Sequence, residues 1–327
     1  MKGKIGLEEH FAIEDTINDS AGFFPDHIWE ELRGRLLDLE GKRLRLMDQH
    51  GIETMILSLN APAIQAIPDP KRANEIARKA NDFLAGVVRK HPDRFQALAA
   101  LPMQDPDLGT RELQRCVKDL GFIGALLNGF TQVGDPNNIV YYDLKQFWPF
   151  WSEVEKLDVP LYLHPRNPLP AHAKIYEGHG WLMGPSWAFG QETAVHALRL
   201  MGSGLFDAYP KLNVVLGHMG EGLPFSMWRV DNCNAWVEGR HKYPAKKKIG
   251  DYFQNNFHIT TAGNFHTPAL LNAMMVMGSD RIMFSTDWPF ENIDHAAVWF
   301  DAATISEADR IKIGRTNALK LFKLPGA

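Results

Sequence analysis

Eight short apolar runs recur along this 327-residue chain, at residues 5–7, 54–59, 95–101, 123–127, 159–165, 212–218, 257–261 and 282–284. Each is too short for a buried helix, and its Val, Ile, Leu and aromatic content suits a strand covered on both faces. The segments between them carry helical periodicity. It is clearest over 70–91, where Ala73, Ile76, Ala77, Ala80, Phe83, Leu84, Val87 and Val88 repeat at 3.6-residue spacing. Asp69-Pro70 supplies an N-cap and a first-turn proline there, and Pro92 a stop. A second helix is predicted over 110–120, with Leu113, Cys116, Val117 and Leu120 inward, and shorter ones at 147–156 and 191–201. Strand and helix alternating eight times predict a parallel sheet closed into a (β/α)8 barrel, one domain over 1–327. An open doubly wound sheet is the weaker alternative, because no Gly-x-Gly-x-x-Gly follows the first run.

Three stretches fall outside the alternation: residues 11–39, 130–146 and 166–186 read as irregular insertions. Long loops on a barrel commonly cover its site, and Phe23 and Phe24 in the first are candidates for an apolar lid, with loop-anchoring core residues the alternative. His172 and His179 in the third lack a strand-end context and are expected in solvent.

Bulk properties narrow the function classes. With 45% hydrophobic and 23% charged residues the chain is an ordinary soluble globular protein. A net charge of −4 argues against a nucleic-acid footprint, and Lys246-Lys247-Lys248 reads as a solvated face. Two cysteines form no disulfide framework and suit a reducing compartment. Neither a signal-peptide core nor a membrane-length apolar stretch is present, so a cytoplasmic location is expected.

The strand ends carry the chemistry. The first run leads into Glu8-Glu9-His10, and residues two apart on a strand share a face, so Glu8 and His10 point together. His164 ends the fifth run, His218 the sixth, and Asp287 follows the eighth just before Pro289. In a parallel barrel all strand carboxyl ends open on one face. Singly, each residue has an ordinary structural reading: an inward histidine bonded to a carbonyl, or an aspartate capping a helix. Five converging polar ends point to a divalent cation, and a mixed nitrogen–oxygen set suits Zn²⁺, Mn²⁺ or Fe²⁺.

Leu7-Glu8-Glu9-His10-Phe11, Leu163-His164-Pro165, Gly217-His218-Met219-Gly220-Glu221 and Ser285-Thr286-Asp287-Trp288-Pro289 together resemble the motifs of the amidohydrolase superfamily. The likeness is to its metal-dependent decarboxylase branch, and within that to enzymes of 2,6-dihydroxybenzoate (γ-resorcylate). It covers essentially the whole chain, in order, with Glu-x-His in strand one where the hydrolases have His-x-His. The resemblance implies one divalent metal ion (Mn²⁺ or Zn²⁺) held by Glu8, His10, His164 and Asp287, with no organic cofactor. It implies His218 beside the metal and a homo-oligomer, tetramer or dimer, acting on a small aromatic acid.

The implied reaction is reversible, non-oxidative decarboxylation of a hydroxybenzoate, 2,6-dihydroxybenzoate to resorcinol foremost. Direct loss of CO₂ would leave an aryl anion that nothing here stabilises, so the ring carbon must be protonated first. A divalent ion can chelate the carboxylate with an ortho phenolate and orient the ring. Asp287 is the expected proton donor, with His218 holding or relaying the proton and Glu221 bonded to His218 or to a substrate hydroxyl. Phe23 and Phe290 are candidate walls for an aromatic ring, and Asn128 and Arg229 candidate partners for its polar groups. Two other readings compete: a lactonase-like metal-dependent hydrolase of the same superfamily, and a non-catalytic barrel binding an aromatic or a metal.

Overall fold

A computed structural model describes residues 1–236 and 242–326, apart from the Phe23 side chain. Eight parallel strands form one sheet in the order β1 (Lys4–Phe11), β2 (Ile52–Leu59), β3 (Phe95–Ala100), β4 (Gly124–Asn128), β7 (Leu161–His164), β8 (Val214–Leu216), β9 (Phe257–Thr260) and β10 (Ile282–Met283). Helices lie between them, as expected of an amidohydrolase-type barrel. The helix over 70–91 is Pro70–Lys90, with Asp69 Oδ1 accepting from Arg72 N at 2.7 Å as its cap. The others run Pro106–Lys118, Trp148–Leu157 and Ala188–Gly202, within a few residues of expectation.

Two of the three insertions are more regular than expected. Residues 26–37 form a helix, and only Leu32 and Leu36 of it are buried, so its apolar stripe is too narrow to stand out. β5 (Thr131–Val133) and β6 (Asp135–Val140) pair as an antiparallel hairpin turning at Gly134. The polar character of that stretch hid it: β6 is exposed along most of its length. Residues 166–186 hold only short 3-10 turns, with His172 and His179 exposed.

The barrel interior is layered. Ile5, Leu7, Ile56, Leu98, Leu126, Tyr162, Val215 and Met283 pack together inside, and Ala318, Leu319 and Phe322 of the last helix plug the amino-terminal end. Above this apolar plug the inward positions turn polar: Glu8, His10, Ser58, His164 and Thr260 are all buried. A bulge in β1 makes the switch. Gly6 pairs with Met55 and Glu9 with Leu57, three residues against two. Ile5 and Leu7 therefore fill the plug while Glu8 and His10 enter the upper layer, and Glu9 is turned aside. Among the described residues no helix is long and apolar enough to cross a membrane.

Two histidines outside the barrel mouth are locked neutral. His196 Nε2 accepts from Tyr142 N at 3.2 Å, and His258 Nε2 lies 2.9 Å from the Arg281 guanidinium. Burial, with Arg199 and Arg281 nearby, pushes both down to about 3. A depressed folded value means the unfolded chain binds more protons below its ordinary value of 6.5. The stability they contribute is complete above about pH 6.5 and is lost as pH falls toward 3. His196→Gln keeps an acceptor without the titration, so its Tm should fall less than wild type between pH 6.5 and 4.5 in paired thermal melts. Parallel Tm–pH curves would refute the assignment.

Candidate active site

Glu8 is the hub of the upper layer. Its Oε2 accepts from the Tyr162 hydroxyl and lies 3.4 Å from Thr260 Oγ1, which fixes the carboxylate from below. Its Oε1 lies 3.1 Å from His164 Nε2 and 3.8 Å from His218 Nε2. His10 rests its Nδ1 on Ser58 Oγ at 3.2 Å, and its Nε2 lies 3.5 Å from Asp287 Oδ1. Asp287 Oδ2 is 3.7 Å from His218 Nε2. Donor atoms of Glu8, His10 and His164 lie within 4.8 Å of one another, as do those of Glu8, His218 and Asp287.

The hydrogen-bond balance of this cluster fits a cation. Glu8 Oε1 and His10 Nε2 are buried and have no hydrogen-bond partner, although most such atoms in folded proteins do. A metal ligand needs an unprotonated lone pair aimed at a shared point, and these atoms with His164 Nε2 and Asp287 supply four. Tyr162 and Ser58, one step behind, are the partners that orient such ligands.

Electrostatics divide the group. Burial works against charge on Glu8, but His218 and His164 hold its carboxyl below the usual carboxylate range. Burial likewise opposes charge on Asp287, and the neighbouring His10 and His218 imidazoles pull it lower. His164 is pushed down by burial and so is neutral, as a ligand must be. Burial also opposes charge on His218, yet the Glu221 and Glu8 carboxylates lift its imidazole well above its ordinary value. Its Nδ1 is 2.8 Å from Glu221 Oε1.

The backbone is bent to make this meeting possible. His218, Met219, Gly220, Glu221 and Gly222 form a run of left-handed residues after β8, and Asp287 has φ +61°. Two glycines leave the needed space. A Cβ on Gly217 would lie 2.5 Å from Glu8 Oε2, and one on Gly263 would lie 2.8 Å from the His218 ring and 3.2 Å from Asp287 Oδ2.

Over the cluster lies a small, partly open cavity. His164, His218 and Asp287 form its polar floor, and Phe24, Phe290, Phe189, Pro165, Pro185 and Ala61 its mostly apolar walls. Phe24 and Phe290 stack with ring centroids 6.0 Å apart and 8° between planes.

Family models and solved structures agree with this picture. The amidohydrolase family model matches residues 27–324. The chain belongs to the amidohydrolase family. It is 68% identical over 326 residues to a gamma-resorcylate decarboxylase of Rhizobium radiobacter, covering all of both chains. It is similar to a crystal structure of 2,6-dihydroxybenzoate decarboxylase complexed with 2,6-dihydroxybenzoate, with a TM-score of 0.97 and 68% identity over 99% of this chain and 100% of the other. A dihydroxybenzoic acid decarboxylase from Polaromonas sp. JS666, with bound manganese and the inhibitor 2-nitroresorcinol, superposes with a TM-score of 0.98 at 68% identity. That match covers 100% of this chain and 98% of the other.

The sequence-derived residues fare unequally in this amidohydrolase-family chain. Glu8, His10, His164, His218 and Asp287 come together, and Glu221 joins them through His218. Phe290 lines the cavity; the Phe23 side chain lies outside the described residues, and its neighbour Phe24 is the aromatic on the wall. Asn128 pairs with His164 in register but spends its amide on Asn60 O at 3.1 Å and does not line the cavity. Arg229 is exposed on the outer helix Leu223–Trp236 and does not line the cavity of its own chain. Two helical turns beyond Glu221 carry it around the outside. Tyr162 was missed, although it stands two residues before His164 on the same strand face.

Proposed function

We propose that this chain is a carboxy-lyase that removes CO₂ from 2,6-dihydroxybenzoate to give resorcinol, reversibly and without an organic cofactor. The observation that carries the reading is the set of unpartnered lone pairs on Glu8 and His10, gathered with His164 and Asp287 beneath an aromatic slot. The decarboxylase relatives support the substrate, and the manganese of the Polaromonas relative supports the metal, with zinc the alternative. Glu8, His10, His164 and Asp287 would hold one divalent ion. When bound, that ion supplies the positive charge that offsets an aromatic carboxylate and its neighbouring phenolate.

The side chains do the rest. Phe24 and Phe290 hold a flat ring over the floor and exclude water from it. Asp287 stands at the cavity edge, where it can hand a proton to the ring carbon that bears the carboxylate. His218, 3.7 Å from Asp287 and backed by Glu221, keeps that proton in reserve. Protonation breaks the ring's aromaticity, and loss of CO₂ restores it. The C–C bond to the carboxylate breaks, its electron pair returns to the ring, and each turnover takes one proton from solvent and releases one CO₂.

Phe225 and Trp228 stand out of the helix Leu223–Trp236 at 85% and 74% exposure, which supports a homo-oligomer, tetramer or dimer, that covers them. A cytoplasmic location is part of the same proposal. Manganese-loaded protein given 2,6-dihydroxybenzoate should yield resorcinol, identified by chromatography, with salicylate and 2,3-dihydroxybenzoate run alongside. Protein that holds its metal but turns over no hydroxybenzoate, and instead opens lactones, would refute the decarboxylase reading.

A further inference from the structure

The barrel has one seam that the backbone ladder does not close. Each neighbouring pair from β1 through β10 is joined by parallel ladder pairs, but none joins β10 back to β1 among the described residues. The candidate ligands sit on both sides of that gap, Glu8 and His10 on β1 and Asp287 just beyond β10. Whatever spans the seam therefore sets the distance between the two halves of the ligand set.

Glu9 spans it. Its side chain is fully buried and turned away from the barrel interior by the β1 bulge. One carboxylate oxygen, Oε1, accepts from Thr286 N at 2.9 Å and from Ser285 Oγ at 3.2 Å. The other, Oε2, accepts from Thr286 Oγ1 at 2.6 Å and from Trp288 N at 3.2 Å. The donors flank Asp287 on both sides. Two shorter links complete the seam: Glu8 N donates to Ser285 Oγ at 2.7 Å, and His10 N to Trp288 O at 2.6 Å. Space is reserved for the carboxylate, because a Cβ on Gly6 would lie 2.4 Å from Glu9 Oε1. The Arg43 guanidinium, buried on the same side, donates to His10 O.

We infer that Glu9 is a positioning residue: its carboxylate clasps the segment Ser285–Trp288 to β1 and so holds Asp287 at the spacing from Glu8 and His10 that a divalent ion requires. It touches neither ion nor substrate. Four hydrogen bonds converging on one carboxyl group fix both the position and the twist of the Asp287 backbone, which no two-point link could do. The left-handed φ of Asp287 is held by the same bonds, since its neighbours Thr286 and Trp288 are both anchored.

The inference rests on the metal reading of the site, and its test reads metal binding and not turnover. Apo protein is titrated with Mn²⁺ by calorimetry and by EPR, with circular dichroism and Tm recorded for each variant. Glu9→Gln keeps the size of the side chain but sets an NH₂ against N–H and O–H donors, and should weaken Mn²⁺ binding by ~10–100-fold, the range for partners that orient ligands. Thr286→Val removes one donor and should weaken it by about tenfold, whereas Thr286→Ser keeps the hydroxyl and should restore it. The EPR spectrum of the bound ion should change in the first two and not in the third. A folded Glu9→Gln with wild-type affinity and spectrum overturns the clasp. If that variant fails to fold, Thr286→Val decides, and wild-type affinity there overturns the clasp equally. Wild-type protein that binds no Mn²⁺ would instead overturn the metal reading, and the clasp with it.

Discussion

Asp287→Asn should lose ~10²–10⁴-fold in kcat on 2,6-dihydroxybenzoate, the range spanned by a positioned acid–base group. The substitution keeps shape and removes both things the residue offers, an anionic oxygen toward His10 and a proton to give. Asp287 lines the cavity and lies 3.7 Å from His218, so no other carboxylate on the floor can take over the transfer. Glu221 is turned toward His218 Nδ1. Resorcinol formation is followed by chromatography, with metal content measured on the same sample. An Asn variant that keeps its metal and turns over at a near-normal rate would remove Asp287 from the mechanism.

Glu8→Gln should release the metal while leaving the fold intact. Glu8 belongs to both groups of converging donors, and its Oε1 faces two imidazoles. An amide there brings either a weaker oxygen or an NH₂ that points at the ion, so affinity should fall on the order of 100-fold or more, beyond what partners behind the ligands contribute. Without metal the same carboxylate is held ionised by His218 and His164, so neutralising it leaves the buried His218 imidazolium less compensated. The apo variant should therefore still fold but melt lower than apo wild type, and it should lose Mn²⁺ on dialysis. Retention of stoichiometric Mn²⁺ would exclude Glu8 as a ligand; an apo variant that fails to fold would make its role structural.

How much of this could be read in the chain follows from what each feature is made of. Strands buried on both faces leave continuous apolar runs, and a parallel barrel puts all their carboxyl ends together. His164, His218 and Asp287 were therefore legible from position alone. The Glu8–His10 pair was legible because it obeys the two-residue period above the bulge. The bulge itself was not, since one extra residue in Gly6-Leu7-Glu8-Glu9 leaves no compositional trace. Glu9 was hidden for the same reason: its partners are backbone N–H groups and hydroxyls some 280 residues away, and hydrogen bonds to backbone carry no sequence signature. The helix Asp26–Leu37 and the hairpin β5–β6 bury few side chains, so neither shows strong periodicity. Distance along a helix gives no direction, so the sequence could not place Arg229 relative to the cavity of its own chain, which it does not line.

The left-handed turn after β8 has a consequence for how this chain could evolve. Non-glycine residues at positive φ are each held against about 1–2 kcal/mol of steric preference, and His218, Met219, Glu221 and Asp287 all stand there. Selection for heat resistance alone would favour glycine at such positions, and three of the four carry side chains of the candidate chemistry. Backbone strain at this active site is thus tied to the placement of its reactive side chains. Met219 carries none of that chemistry, but its side chain is buried in the core, so glycine there would lose more in packing than it relieves in backbone strain.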